Sequence, residues 1–447
     1  MPNITTPQIV NLTATLTVAP TPSQLQRSGT FISTGATTLA SGSYQFLSQL
    51  SDLTPILNAD PSVATQAAEL TAMATTFFAQ GNSVGVYVLE LGTQTNGAAG
   101  IEALQAWITA NPGVFYAYLV PAAWDNNTDV VGSIIIDNGG TGYVSAPSVT
   151  ITGGGGSGAT ATAVVQNGAV TSIVITTPGD SFTTAPTVTI DAPPTGGTQA
   201  TAHANLASEL DVVAGDFANP TAKTYFFITT TVANVGIYQP NKSVCAFVPS
   251  PLATSQEYGA SVYFYNYLVN NPGPANQLAP MQYRYAYGVT PWPAKGYAQQ
   301  VNTILSAYGN IIYPCSEAGI SNTGQWKGTF SDGSQMSWWY GVDWFQIQVA
   351  QSLAAAVING SNSNPPLLYD QNGINTLHAV ANTVLDTAIT YGCLEGGSIT
   401  ATSFATYTQQ NPDNYKAGIY GGFLATVSGQ NGFLQISFYM DATQFAL

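Results

Sequence analysis

Two histidines, three cysteines and 22 carboxylates are the chain's stock of bases, thiols and acids. Gly81-Asn82-Ser83-Val84-Gly85 fits G-x-S-x-G, the elbow that strains and exposes a nucleophilic serine. That turn must be entered from a strand and left by a helix. Here helical spacing precedes it and a strand follows, so a helix–strand turn is expected, with only His203 and His378 as possible bases. Gly153–Gly158 fits G-x-G-x-x-G, which holds a pyrophosphate only where it opens a helix. Ala159–Val165 reads instead as a strand, so these glycines belong to a β-turn, and no Gly-Lys-Ser/Thr occurs. Cys245, Cys315 and Cys393 are widely spaced and odd in number, which argues for free buried thiols and against a disulfide framework or metal ligands. Asp332, Asp343, Glu317 and Glu395 could supply a glycosidase pair, and Trp338, Trp339 and Trp344 a sugar groove. Their blander roles are expected instead: Asp343 capping the helix of Trp344, Ile347 and Ala350, the tryptophans packing in the core. No catalytic constellation emerges, and no enzyme activity, metal or cofactor is expected.

Charge narrows the function further. Only 6% of residues are Asp, Glu, Lys or Arg, against about 25% in an average soluble protein. Seven basic residues against 22 acidic ones give −15, which excludes a protein that neutralises phosphates with clustered Lys and Arg. A surface of Thr, Ser, Asn and Gln is cheaper to desolvate than an ionic one. It suits a protein covered by its neighbours, and also an exported bacterial protein. Apolar runs such as Val84–Leu91 and Phe115–Val120 fall far short of the roughly 18–20 residues of a membrane span. MPNITTPQIV has no signal-peptide pattern.

The elements that would position these residues come next. Val10, Leu12, Ala14, Leu16 and Val18 alternate with polar residues as in a one-face-buried strand, ended by Pro20 and Pro22. Gly29–Ser33 reads as a strand. Asp60-Pro61 opens a helix carrying Val63, Ala67, Leu70, Ala74 and Phe77, which Gly81 stops. Strand Val84–Leu91, a helix through Ile101, Leu104 and Ile108, and strand Val114–Val120 complete an alternating unit that predicts a mainly parallel sheet. From about residue 130 to 206 the helical pattern vanishes and a duplication appears. GGTGYVSAPSVTI (Gly139–Ile151) matches PGDSFTTAPTVTI (Pro178–Ile190), pairing Tyr143 with Phe182, and Ala161–Ala163 aligns with Ala200–Ala202. Two such small units are expected to share one β core. Strands at Thr224–Thr231 and Val244–Val248 then resume the α/β pattern, with helices at Ser255–Asn270, Tyr297–Tyr308, Asp343–Ile358 and Ile374–Tyr391. Leu434, Ile436, Phe438 and Met440 alternate in a closing strand.

This order of segments resembles the contractile tail sheath proteins of myovirus-type bacteriophages. The likeness rests on YGNIIYPCSEAGISNTGQWKGTFSDGSQMSWWYGVDWFQIQVAQSLAAAV (Tyr308–Val357), LLYDQNGINTLHAVANTVLDTAITYG (Leu367–Gly392) and the closing NGFLQISFYM. It covers most of the chain outside 130–206, whose Gly-Tyr/Ala-Pro repeat resembles those of various phage and bacterial surface proteins. The resemblance implies an α/β fold: a sheath-like core at 23–129 and 207–428, strand arms at 1–22 and 429–447, and an inserted, outward-facing all-β domain at 130–206. It implies hexameric rings stacked around a tail tube in the virion tail, assembled in the host cytoplasm. Baseplate, tube and tail terminator proteins would be the partners, with no nucleic acid and no membrane insertion. Val10, Leu12, Leu16 and Val18 in one arm and Leu434, Ile436, Phe438 and Met440 in the other would link subunits by strand addition. Two rival expectations are a virion adhesin binding glycans through 130–206, and a secreted glycan hydrolase.

Overall fold

The computed structural model describes residues 25–433 apart from 126–129, 195, 220 and 318–319. The arm residues Val10, Leu12, Leu16, Val18, Leu434, Ile436, Phe438 and Met440 lie outside the described residues.

The first half alternates as its sequence predicts: β1 (Gly29–Ser33), β2 (Tyr44–Leu47), α1 (Ala64–Ala79), β3 (Val86–Glu90), α2 (Gly97–Ala110) and β4 (Ala117–Leu119). Asp60 accepts the Ser62 N–H and starts a short 3-10 turn that runs into α1. Six strands follow without a long helix: β5 (Val130–Asn138), β6 (Ser148–Thr152), β7 (Thr160–Gln166), β8 (Ala169–Thr177), β9 (Thr187–Ile190) and β10 (Thr201–Ala207). Then come α3 (Glu209–Gly215), β11 (Tyr225–Thr229), β12 (Val244–Phe247), α4 (Ala260–Leu268), α5 (Ala298–Ser306), and the hairpin β13 (Ile311–Glu317) with β14 (Ile320–Trp326). The long helices α6 (Met336–Ser361) and α7 (Gln371–Thr390) lead into the hairpin β15 (Leu394–Ala401) with β16 (Phe423–Gly429).

The central sheet has the order β12-β11-β4-β1-β3-β2. All its neighbours are parallel except β2, which runs antiparallel to β3 at the edge. Because successive side chains point to opposite faces, each strand feeds two cores. Phe31, Val88, Leu119, Phe227 and Phe247 face α1, α4, α6 and α7. Ile32, Leu89, Tyr118, Phe226 and Ala246 face α2, α3 and α5. Burial on both faces explains why these strands read as continuous apolar runs.

Strands β8-β7-β6-β9 form one sheet and β10-β5 another, enclosing a third core that includes Ile134, Tyr143, Ile173 and Phe182. Ala163 of β7 and Ala204 of β10 occupy the same buried position in their strands. The correspondence there is shifted by two residues from the one read in sequence, which leaves the same side chains facing inward. Among the described residues no helix is long and apolar enough to cross a membrane.

Two sequence expectations need correction. The helix expected from Asp343 begins at Met336, so Asp343 is an interior residue and not its cap; Gln335 is the residue at the cap position. The helix expected over Ser255–Asn270 is confined to Ala260–Leu268, where Gly259 lies too close to the Phe247 ring for any larger side chain.

Candidate assembly site at the roots of the terminal segments

A turn sets the start of α6. The Asp332 carboxylate accepts the Ser334 N–H at 2.9 Å, and Gly333, at φ +86°, closes the turn by donating its N–H to the Phe330 carbonyl. This leaves Gln335 extended at the helix N-cap with its side chain free to reach outward. Met336, Tyr340, Asp343 and Ile347 then follow at helical spacing on the buried face.

Both ends of the described chain are held by the opening turns of this helix. At the N-terminal root, the buried Gln26 donates from Nε2 to the Tyr340 carbonyl at 2.9 Å, and more distantly to the Tyr116 hydroxyl at 3.4 Å. Ser28 bonds the Val114 carbonyl, delivering the chain into β1. At the C-terminal root, Gly432 is held by a two-point clamp. Its N–H donates to Gln335 Oε1 at 2.7 Å, and its carbonyl accepts from Gln335 Nε2 at 3.0 Å. Gln335 and Tyr340 are five residues apart, roughly 7.5 Å along a helix axis. Residues separated by almost the whole chain are therefore both anchored to the opening turns of α6.

Close approach tightens the same seam. A β-carbon on Gly341 of α6 would collide with the Cys393 carbonyl, and one on Gly429 would come 2.7 Å from the Trp338 carbonyl. At Gly432 it would lie 2.5 Å from both Pro280 Cβ and Gln282 Oε1.

Under the N-terminal root lies a buried polar cluster. Asp343 is fully buried, and its Oδ2 accepts hydroxyls from Tyr225 at 2.8 Å and Tyr116 at 2.9 Å; Tyr116 also bonds the Tyr267 hydroxyl at 2.9 Å. Among the described residues its Oδ1 has no partner. Burial pushes this carboxyl up from the usual carboxylate range, and nearby Lys223 and Lys242 pull against that rise. Both lysines are in turn held below their ordinary range by burial. Lys242 sits 4.4 Å over the Trp339 ring, a favourable place for a cation.

Open α/β sheets bind ligands outside the carboxyl ends of their strands. Here those ends are occupied by the protein's own acids. Glu90, closing β3, accepts hydrogen bonds from the Ser33 and Thr37 hydroxyls and the N–H groups of Gly35, Thr37 and Gly92, at 2.6–3.1 Å. Asp125, beyond β4, takes the Thr230 and Tyr238 hydroxyls at 2.8 Å, the Asn234 amide at 3.1 Å and the Thr231 N–H at 3.2 Å. A carboxylate saturated by internal donors has little capacity left for catalysis or a ligand.

The residues singled out for chemistry are dispersed. Gly81–Gly85 joins α1 to β3, the reverse of a nucleophile elbow, and Gly153–Gly158 joins β6 to β7. His203 pairs with Asp137 at 2.7 Å on the exposed face of β10 and β5. His378 bonds the Ile399 carbonyl at 2.8 Å and stacks on Phe423, fixing α7 to the last hairpin. Cys245, Cys315 and Cys393 are free thiols, the first and last buried as expected and Cys315 only half-buried, against expectation. Of the four carboxylates, Asp332 shapes a turn, Asp343 is enclosed, Glu317 lies on β13 and Glu395 is exposed on β15. Trp338, Trp339 and Trp344 are half-buried against the main core. Among the described residues no three potential ligands gather to hold a metal. Gln26, Gln335 and Gly432 were not legible as a unit in sequence. The period placing Asp343 with Met336, Tyr340 and Ile347 was available, and it marks a buried carboxylate.

No family model and no curated protein sequence matches this chain. Its fold does have solved counterparts. A chain of the anti-feeding prophage baseplate, solved with sixfold symmetry, superposes with a TM-score of 0.50 at 11% identity, over 99% of this chain and 99% of that one. The helical sheath of the same particle, in its contracted state, also gives 0.50 and 11%, over 98% of this chain and 100% of that chain. The mixed α/β fold, with its several sheets, is thus shared end to end with these two chains.

Proposed function

We propose that this chain is a structural, non-catalytic subunit of a contractile tail sheath. Copies stack as hexameric rings around a tail tube, seat on a baseplate, end at a terminator protein, and contract to drive the tube through a host envelope. Residues 23–129 and 207–428 form the rigid core. Residues 130–206 form an inserted β domain built from the two repeats, facing outward where insertions are tolerated. Segments 1–22 and 429–447 link neighbours by adding strands, with Val10, Leu12, Leu16 and Val18 and Leu434, Ile436, Phe438 and Met440 as the buried faces. The particle is a virion tail or a tail-like relative, assembled in the host cytoplasm.

One observation carries this reading: the fold matches a contracted-sheath chain over nearly the full length of both. The paired roots on α6 support it, because two linking segments anchored to one helix stay tied to the same rigid element as they join neighbours. The saturated carboxylates at the sheet ends favour a structural role over an enzyme. With ion pairs scarce, subunit contacts are apolar and hydrogen-bonded, so salt should screen little of their energy. Sedimentation of the assembled protein at low and high salt tests this. Nearly equal pelleted fractions are expected, and dissolution by salt contradicts the contact chemistry.

A further inference from the structure

Gly432 also lies against a second glutamine whose amide is unused. Gln282 is buried, at 5% exposure, and among the described residues neither its amide nitrogen nor its amide oxygen has a hydrogen-bond partner. It lies directly against Gly432, close enough that a β-carbon there would overlap its Oε1. Gln335 already presents its amide to the Gly432 N–H and carbonyl as a neighbouring strand would. A primary amide carries one carbonyl and two N–H donors, so either glutamine can bond both backbone groups of one residue. An orphaned buried amide is costly, and turning the Gly432 backbone groups from Gln335 to Gln282 would satisfy it.

We propose that Gln335 and Gln282 are alternative seats for the chain at Gly432, forming a two-position latch that sets how the C-terminal segment departs. The idea rests on the sheath reading above for its purpose: a linking segment must keep hold of its own body while the subunit changes its relation to its neighbours. Gln335 holds the segment in the free chain, and Gln282 takes it over when a neighbour draws the segment across. Glycine is required at the pivot, because any side chain would block passage past Pro280. Both seats are neutral amides, so the exchange involves no ion pair and responds weakly to salt or pH. The two seats offer similar bonds, and the free chain favours Gln335 about tenfold, a bias small enough for a neighbour's pull to reverse.

Hydrogen–deuterium exchange of a peptide spanning Ala425–Phe433 tests the latch in the free full-length chain and in its assembled form. In the free chain, Gln335→Ala should speed exchange at Gly432 about tenfold, the equivalent of one lost hydrogen bond. Gln282→Met, which keeps the volume, should leave the free chain unchanged. In the assembled form the pattern should invert: Gln282→Met deprotects the peptide and Gln335→Ala does not. Unaltered exchange in free Gln335→Ala overturns the first seat. Wild-type behaviour of Gln282→Met in both forms overturns the second. If the unmodified chain does not assemble, the sheath reading falls and the second seat with it, while the free-chain comparison still decides the first.

Discussion

Replacing Asp343 by alanine and by asparagine separates two accounts of that buried carboxylate. Alanine removes the acceptor of the Tyr225 and Tyr116 hydroxyls, bonded to Oδ2 at 2.8 and 2.9 Å, and leaves Tyr116 only the Tyr267 hydroxyl in a site closed to water. Each orphaned buried hydroxyl costs about 1–3 kcal/mol, so Asp343→Ala should destabilise by about 2–5 kcal/mol. Asparagine retains an oxygen for both hydroxyls, and its amide N–H₂ replaces the unpartnered Oδ1. It also removes a buried charge, which Lys223 and Lys242 and the Tyr225 and Tyr116 hydroxyls offset only in part. Asp343→Asn should therefore lie within about 1 kcal/mol of wild type. Urea unfolding followed by tryptophan fluorescence reads both, since Trp338, Trp339 and Trp344 share the helix with Asp343. Equal, large losses in the two variants would refute the reasoning, by showing that the negative charge is what the fold requires.

Three further outcomes follow from the same structure. Burial raises the Asp211 carboxyl from its ordinary 3.8 to about 6, partly offset by the Asn241 amide. Its folded form binds the proton more tightly than its unfolded form, so stability falls as pH rises from about 4 through 6. Discounted for partial exposure, the loss is about 2 kcal/mol. Asp211→Asn should remove it and exceed wild-type stability at pH 7 by that amount, with equal denaturation midpoints for the two proteins at pH 7 counting against it. Burial pushes the Cys245 thiol far up and Cys393 to about 12, whereas Cys315 is only half-buried. A maleimide should accordingly label Cys315 first in the native protein and all three after denaturation, as mass spectrometry of labelled peptides would show. Gly341→Ala should cost about 2–4 kcal/mol by urea denaturation, because the new methyl meets the Cys393 carbonyl, a backbone atom that cannot swing aside.

The legible parts of this fold are those where local pattern and tertiary context agree. Gly29–Ser33 matches its expected bounds, and the burial of all five residues, Thr30 and Ser33 included, fits a strand covered on both faces. Helix α1 announced itself through Asp60-Pro61 and the spacing of Leu70, Ala74 and Phe77. The hairpins β13–β14 and β15–β16 went unread. Pro314 interrupts the first, Gly396 and Gly397 dilute the second, and their pairing partners rather than their composition make them strands. Asp343 misled for a related reason. An aspartate ahead of an apolar run resembles a cap, yet the Asp332–Gly333 turn had already started the helix two turns earlier. The candidate assembly site is the least legible part, because Gln26 meets Tyr340 and Gln335 meets Gly432 across separations that no local pattern encodes. Their residue types are ordinary, and only the fold brings them together.

Electron microscopy of the purified full-length chain, beside versions lacking residues 1–20 or 434–447, decides whether the protein builds a sheath through its terminal segments. The account predicts long hollow cylinders of stacked rings from the intact chain and discrete particles from either truncation. Discrete particles from all three would contradict the sheath reading, and cylinders from all three would contradict the linking role of the terminal segments.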